Sequence, residues 1–395
     1  MNNIQLIATT TFGLEAVVKH EVTQLGYDIS YVENGKVVFN ADELAICRSN
    51  LWLRSAERVR LIIGEFKATS FEELFENTKA LPWSEWIPED AQFPVEGKSV
   101  KSKLYSVPDC QAIVKKAVVE SLKKTYKNQW FEETGAMFKI EVALLKDVAT
   151  LTIDTSGAGL HKRGYRPLIS GAPLKETMAA AMIQLSRWKP DRVLIDPFCG
   201  SGTIPIEAAL IGKNIAPGIN RNFASDEWPR VSKKLWSEAR KEAHDLANYD
   251  QQLKIIGTDI DERMINIARK NAYEATVDTD IHFQTQPFNQ IQSKKKYGYT
   301  IFNPPYGERL GDADEIKKLY REMGQVLKKL DTWSHYILTS YEDFEIDFGR
   351  KADKNRKLYN GNIKTYFYQY FGPRPPKAKA ITIEGEANTE NDVDA

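Results

Sequence analysis

Five short, almost continuously apolar runs follow one another after Pro190: "RVLIDPF", "LKIIGTDI", "IHFQTQ", "YTIFNPP" and "HYILTS". Helical patterns lie among them, from Thr203 to about Ile211, in "DERMINIARKNAYEA" and in "EIKKLYREMGQVLKKL". A strand that is apolar on both sides has to be covered on both faces. The alternation therefore predicts an open, mostly parallel α/β sheet with helices on either side. Ligands of such sheets gather beyond the carboxyl ends of the strands, and three of the runs end there in a polar side chain: Asp196, Asp259 and Asn303.

The first 160 or so residues follow another pattern. "IQLIATT" and "RVRLIIGEF" read as strands, "GLEAVVKHEVTQLG" as a helix stopped by Gly26, and "YDISYVENGKVVFN" as a hairpin turning at Asn34-Gly35. With the helical "ADELAICRSNLWL" these make a small α+β module of ferredoxin-like character. From about Thr69 to Ser156 come the helical "SFEELFENTKA" and "DCQAIVKKAVVESLKKTY", the extended "FPVEGKSVKSKL", and two strands joined through Lys146-Asp147.

Formal charge is zero, 54 basic against 54 acidic side chains, but the last fifteen residues hold five acids and no Lys or Arg. That tail has little to bury and is expected to be disordered. Glu96 to Trp130 contains eight lysines against three acids. Such a field attracts phosphate, with an ordinary solvated face as the plain alternative. Lys162, Arg163 and Arg166 form a second basic group just before the parallel sheet. The three cysteines are widely separated and the five histidines lack metal-ligand spacing, so neither a disulfide framework nor a metal site is expected. No signal-peptide pattern opens the chain and no apolar run reaches bilayer length, which predicts a cytoplasmic protein.

In "RVLIDPFCGSGT" the strand runs into Asp196 and then into two glycines, Gly200 and Gly202, that let backbone approach a ligand. The phosphate loop GxxxxGK[ST] and the dinucleotide GxGxxG are both absent, and the Asp196 carboxylate would repel a pyrophosphate. It suits a cationic or amino-bearing ligand such as S-adenosylmethionine. Asp259 is placed to accept from ribose hydroxyls, and Asp261 to cap the next helix. The gap between Asp196 and Asp259 far exceeds the ~20 residues of the dinucleotide fingerprint. The segment "GKNIAPGINRNFASDEWPRVSKK" accounts for the excess and is expected near the site.

"NPPYGERLG", Asn303 to Gly311, is either a rigid turn or a clamp. An exocyclic amine conjugated to a base is a poor nucleophile. Two acceptors, the Asn303 side-chain oxygen and the Pro304 carbonyl, could hold its hydrogens while the prolines fix the geometry, and Tyr306 could stack on the base. Guanine and adenine amines fit equally.

"DPFCGSGT", "GTDID" and "NPPYGERLG", with "DTSGAGLHKRGYR", "APLKETMAAA", "FASDEWP" and "RKLYNGNIKTYFYQY", resemble the THUMP-containing class I S-adenosylmethionine-dependent methyltransferases that modify guanine N2 in 23S ribosomal RNA. The resemblance implies a Rossmann-like, mostly parallel catalytic sheet at residues 161–376, a ferredoxin-like module at 1–65, a THUMP RNA-binding domain at 66–160 and a disordered tail at 377–395. It implies a cofactor site at Asp196, Phe198, Gly200, Gly202, Thr203, Asp259 and Ile260, and a target-base site at Asn303, Pro304, Pro305 and Tyr306. RNA contacts are expected from Lys98, Lys101, Lys103, Lys115, Lys116, Arg163, Arg166 and Arg309, with 23S ribosomal RNA or a large-subunit assembly intermediate as partner. Where relatives place an Asp for the adenine amine, "HFQTQPF" offers Gln286, whose oxygen could accept the same hydrogen bond. Some relatives carry a second methyltransferase domain downstream; this chain is expected to perform the N2-guanine reaction alone. Adenine N6 methylation of RNA or DNA, and a non-catalytic ribosome-assembly role, are the alternatives.

Overall fold

The computed structural model describes residues 4–166, 174–305, 313–361 and 363–376. The acidic tail, 377–395, lies outside the described residues, as do Tyr306 and Arg309. Among the described residues the strands form two sheets of seven.

The N-terminal half runs β1 (Ile4–Thr9), α1 (Glu15–Gln24), β2 (Ile29–Glu33), β3 (Lys36–Ala41), α2 (Glu43–Trp52), β4 (Arg58–Lys67), α3 (Phe71–Lys79), β5 (Val95–Val100), α4 (Val107–Tyr126), β6 (Ile140–Leu145) and β7 (Val148–Asp154). Gly26, at φ +87°, ends α1 as its glycine signal predicts. Lys146 and Asp147 both sit at positive φ in the two-residue turn between β6 and β7. The spatial order is β2-β3-β1-β4-β7-β6-β5. The two modules expected from the sequence therefore share one sheet. The ten-residue β4 joins them, pairing with β1 through Arg58 to Leu61 and with β7 through Arg60 to Lys67.

The second half contains α5 (Glu176–Ser186), β8 (Leu194–Asp196), α6 (Thr203–Gly212), α7 (Lys233–Asp245), β9 (Ile255–Asp259), α8 (Glu262–Glu274), β10 (Ile281–Thr285), β11 (Tyr299–Phe302), α9 (Ala313–Leu327), β12 (Ser334–Thr339), α10 (Phe344–Phe348), β13 (Lys354–Asn360) and β14 (Ile363–Tyr370). The order is β10-β9-β8-β11-β12-β14-β13. The first five strands are parallel, and β14 pairs antiparallel with both β12 and β13. Of the β13–β14 hairpin only β13 is an edge and β14 lies inside, although the sequence suggests edge strands for the whole hairpin.

The inserted segment is not at the site. It leaves α6 at the end remote from the glycine-rich turn, because a helix crossing back over a parallel sheet finishes near the amino ends of the strands. There it enters the core of the N-terminal half: Trp228, 2% exposed, stacks on Phe138 at 4.5 Å and donates from Nε1 to the Met137 carbonyl at 3.0 Å. The unforeseen α7 packs on α2, and the Arg48 guanidinium grips Glu242 at 2.7 and 2.8 Å. Arg230 adds pairs to Glu43 and Glu85.

Candidate active site

The strand order reverses between β8 and β11, with Thr300 of β11 opposite Ile195 of β8. Asp196 is the last residue of β8, and Asn303 is the first past β11. The two line one cleft with Leu174, the Cys199 to Ser201 turn and Met264.

The turn is built by its backbone. Gly200 and Gly202 take φ of +51° and +85°, and a Cβ on Gly202 would lie 3.0 Å from Ala268 Cβ, so side chains are disfavoured there. Gly202 N donates to the Cys199 carbonyl at 2.8 Å, and Cys199 N to the Thr258 carbonyl at 2.9 Å. Gly200 N donates to Asp259 Oδ2 and Asp261 N to Asp259 Oδ1, both at 3.0 Å. Asp259 thus tethers the turn to β9 while each oxygen keeps a lone pair. Asp261 caps α8 as expected, accepting from Arg263 N at 2.9 Å.

Asp196 is 1% exposed, and only its Oδ1 takes a hydrogen bond among the described residues, from Phe198 N at 3.1 Å. Burial pushes its carboxyl well above the usual range; the Phe198 amide opposes the rise and the Asp259 charge adds to it. Burial likewise raises the Cys199 thiol well above its ordinary value, so it is no thiolate nucleophile. Asn303 presents a buried Oδ1 without a hydrogen-bond partner among the described residues. The peptide beyond it is braced: Tyr320 Oη donates to the Pro305 carbonyl at 3.4 Å and meets Thr339 Oγ1 at 2.9 Å. Sequence reasoning missed Tyr320, whose sole signal is its place on the apolar face of α9.

Other expected cofactor residues are spread more widely. Phe198 packs against Phe288 at 5.1 Å and Phe302 at 5.6 Å, beside the turn. Ile260 projects into solvent, 75% exposed, just past β9. Thr203 opens α6 and accepts from Arg166 Nη1 at 2.8 Å. The Gln286 amide is engaged within the protein, its oxygen accepting from Gln284 and its nitrogen donating to the Gln290 carbonyl at 2.8 Å. An oxygen already in use is a weaker adenine acceptor than the sequence suggests.

Three of the expected RNA contacts are corrected. Arg163 is 4% exposed, donating to the Leu160 carbonyl at 2.7 Å and to the Arg54 carbonyl, with Glu207 Oε1 at 3.4 Å from its Nε. The Arg166 side chain is 8% exposed and lies 3.0 Å from Glu176 Oε1 at ion-pair distance, without the alignment of a hydrogen bond. Both guanidiniums tie the linker to the catalytic domain and are turned away from solvent. Lys115 is likewise committed, bonding Glu133 at 2.6 Å and the Phe93 carbonyl at 3.1 Å. Lys98, Lys101, Lys103 and Lys116 are exposed. Among the described residues no group of three or more His, Cys, Asp or Glu could hold a metal ion, and no helix is long and apolar enough to cross a membrane.

Comparison with known proteins matches residues 163–369 to the RMKL-like methyltransferase domain family, residues 5–60 to the RlmL ferredoxin-like domain and residues 68–154 to the THUMP domain. The Bacillus subtilis (strain 168) protein named "Putative RNA methyltransferase YpsC" is 56% identical over 96% of this chain and 99% of its own length. A Listeria monocytogenes structure, "predicted N6-adenine-specific DNA methylase", superposes with a TM-score of 0.90 at 60% identity, covering 94% of this chain and 97% of that one. The structure of SMU.472, "a putative methyltransferase complexed with SAH", gives a TM-score of 0.90 at 49% identity over 95% of this chain and 100% of that one. The chain belongs to the RMKL-like family of class I S-adenosylmethionine-dependent methyltransferases, an RNA-methylating enzyme with an RlmL-type ferredoxin-like module and a THUMP domain ahead of its catalytic sheet.

Proposed function

We propose that this enzyme methylates the exocyclic N2 amine of a guanine in 23S ribosomal RNA, presented as RNA or as a large-subunit assembly intermediate, in the reducing cytoplasm. The carrying observation is Asn303 Oδ1: a buried acceptor with no partner among the described residues, one residue past β11 and in the same cleft as Asp196. An orphaned buried acceptor costs about 1–3 kcal/mol, and a base amine would fill it. Asn303 Oδ1 and the Pro304 carbonyl would take the two amine hydrogens and leave the nitrogen lone pair facing the methyl donor. Tyr306 would stack on the base.

The cleft suits S-adenosylmethionine: the buried carboxylate of Asp196 has no cationic partner among the described residues, Asp259 retains lone pairs for hydroxyls, and glycine backbone allows close approach. When bound, that cofactor supplies an electrophilic methyl group on a sulfonium. No side chain has to remove a proton first, because the amine becomes acidic only once alkylated. The exposed Lys98, Lys101, Lys103 and Lys116 would meet phosphate. Free, buried Cys47, Cys110 and Cys199 support a reducing compartment.

The test is to incubate the purified chain with radiolabelled S-adenosylmethionine and RNA from cells lacking its gene, then digest and identify the labelled nucleoside. N2-methylguanosine in the large ribosomal RNA is expected. Label in N6-methyladenosine would replace it with the second reading, which the clamp accommodates and which the name of the Listeria relative suggests. Absence of label in any RNA, and in DNA supplied in a parallel reaction, would sink both.

A further inference from the structure

The N-terminal half and the catalytic domain frame an open cavity of about 450 Å3 between α1, α2, the end of α5 and α7. Arg54 lies on its wall and is 8% exposed, yet its guanidinium makes no hydrogen bond or ion pair with any described residue. Burial pulls its pKa down to about 10, against the opposing charges of Glu207 and Glu21. On the same wall Trp52 Nε1 is a second buried donor without an acceptor.

The acids of this cavity are already occupied. Glu21 accepts from Ser55 N at 3.1 Å, Arg54 N at 3.0 Å and Gln184 Nε2 at 2.5 Å. Glu242 is held through both oxygens by Arg48. His20 and Arg187 stand exposed at the rim without a carboxylate partner. Among the lining residues the buried polar atoms left unfilled are both donors, one on the charged guanidinium of Arg54 and one on the neutral indole of Trp52. A buried guanidinium in that state is costly unless paired, and its complement is an oxyanion.

We propose that this cavity binds a phosphate group, received by Arg54 within and by Arg187 at the rim. The assignment is independent of which base is methylated. The phosphate can come from the RNA backbone or from a small phosphomonoester. A neighbouring cleft of about 830 Å3 shares His20, Gln184 and Arg187 and continues through Lys354, Arg356 and Arg374, with no acid among its described lining residues. An RNA strand leaving the cavity would therefore stay on basic ground.

The full chain is titrated with inorganic phosphate at constant ionic strength, with chloride as the control, following tryptophan fluorescence and melting temperature. A saturable, phosphate-specific response is expected, weakened about tenfold by Arg54→Met, which removes a charge-assisted bond. The exposed Arg187→Ala, which leaves the buried wall intact, is expected to weaken it about threefold. No saturable response, or one that survives unchanged in Arg187→Ala and in any folded Arg54→Met, overturns the assignment. The source is separated by two further probes. If RNA supplies the phosphate, Arg54→Met lowers affinity for large ribosomal RNA and flattens its salt slope by about one. If a phosphomonoester does, adenosine monophosphate binds saturably to the wild type while RNA affinity is the same in both proteins.

Discussion

Two asparagines, one in each half of the molecule, are treated in opposite ways. Asn50, 1% exposed, donates from Nδ2 to the Ile46 carbonyl and to Thr155 Oγ1, both at 2.9 Å, and accepts from Ser156 Oγ at 2.6 Å. Its polar capacity is spent holding α2 to the chain that follows β7. Asn303, at the reversal point of the catalytic sheet, is left with Oδ1 empty. The same side chain is a fastener in one place and a waiting acceptor in the other. An acceptor of the second kind carries a cost that a bound group can relieve.

Substitution should separate the two roles. Asn303→Ala is expected to lower methyl transfer by about 10²–10³-fold, the range for loss of one preorganised polar partner near a reacting centre, while the denaturant midpoint stays close to wild type. Turnover assays beside urea melts check it, and near-normal turnover by the folded variant would end the clamp assignment. Asn50→Ala is expected to reverse the pattern, losing about 2–3 kcal/mol of stability as Thr155 and Ser156 lose their partner, with methyl transfer per folded molecule unchanged. A similar activity loss in both variants would erase the contrast.

Asp196→Asn sharpens the comparison from the ligand's side. Because burial raises the folded-state pKa of Asp196 above its ordinary 3.8, the folded chain holds the proton to higher pH than the unfolded chain. This group's contribution to stability therefore falls as pH rises above that ordinary value. The ligand-free Asn variant should melt above wild type at neutral pH, and the gap should close as pH drops toward 4. The same variant should bind S-adenosylmethionine about tenfold more weakly by calorimetry. A variant that melts below wild type at pH 7 would contradict the strain assigned to this carboxylate. The smallest effect is expected far from the site: Lys101→Ala with Lys103→Ala should weaken RNA binding a few-fold and reduce the salt slope by about one to two. Unchanged affinity and slope would make those lysines an ordinary solvated face.

The catalytic sheet was legible because its signal is local: each apolar run carries its own terminal residue, so Asp196, Asp259 and Asn303 could be placed without knowing their neighbours. What failed was whatever depended on distant partners. "HKRGYR" displays its charge openly, but the carboxylates that bury Arg163 and Arg166 sit on Glu207 and Glu176, in two separate helices of the catalytic domain. The inserted segment's destination was hidden for the same reason, since Trp228 finds Phe138 and Arg230 finds Glu43 only after the halves have met. α7 escaped notice because its buried face is sparse, Trp236, Ala239 and Ala243 among charged residues. Tyr306 and Arg309 fall outside the described residues, so their expected roles stand on the motif alone.

Strand β4 carries a mechanical consequence. One unbroken backbone is hydrogen-bonded to β1 on one side and to β7 on the other, so a hinge between the first module and the THUMP domain would have to tear a row of ladder bonds. With Trp228 and Glu242 riveting the catalytic domain to the same half, the lysine-bearing edge at β5 and the cleft at Asn303 move as one body. An RNA gripped at that edge would present its bases at a constant offset from the clamp, and the enzyme would choose its nucleotide as a caliper does, by span.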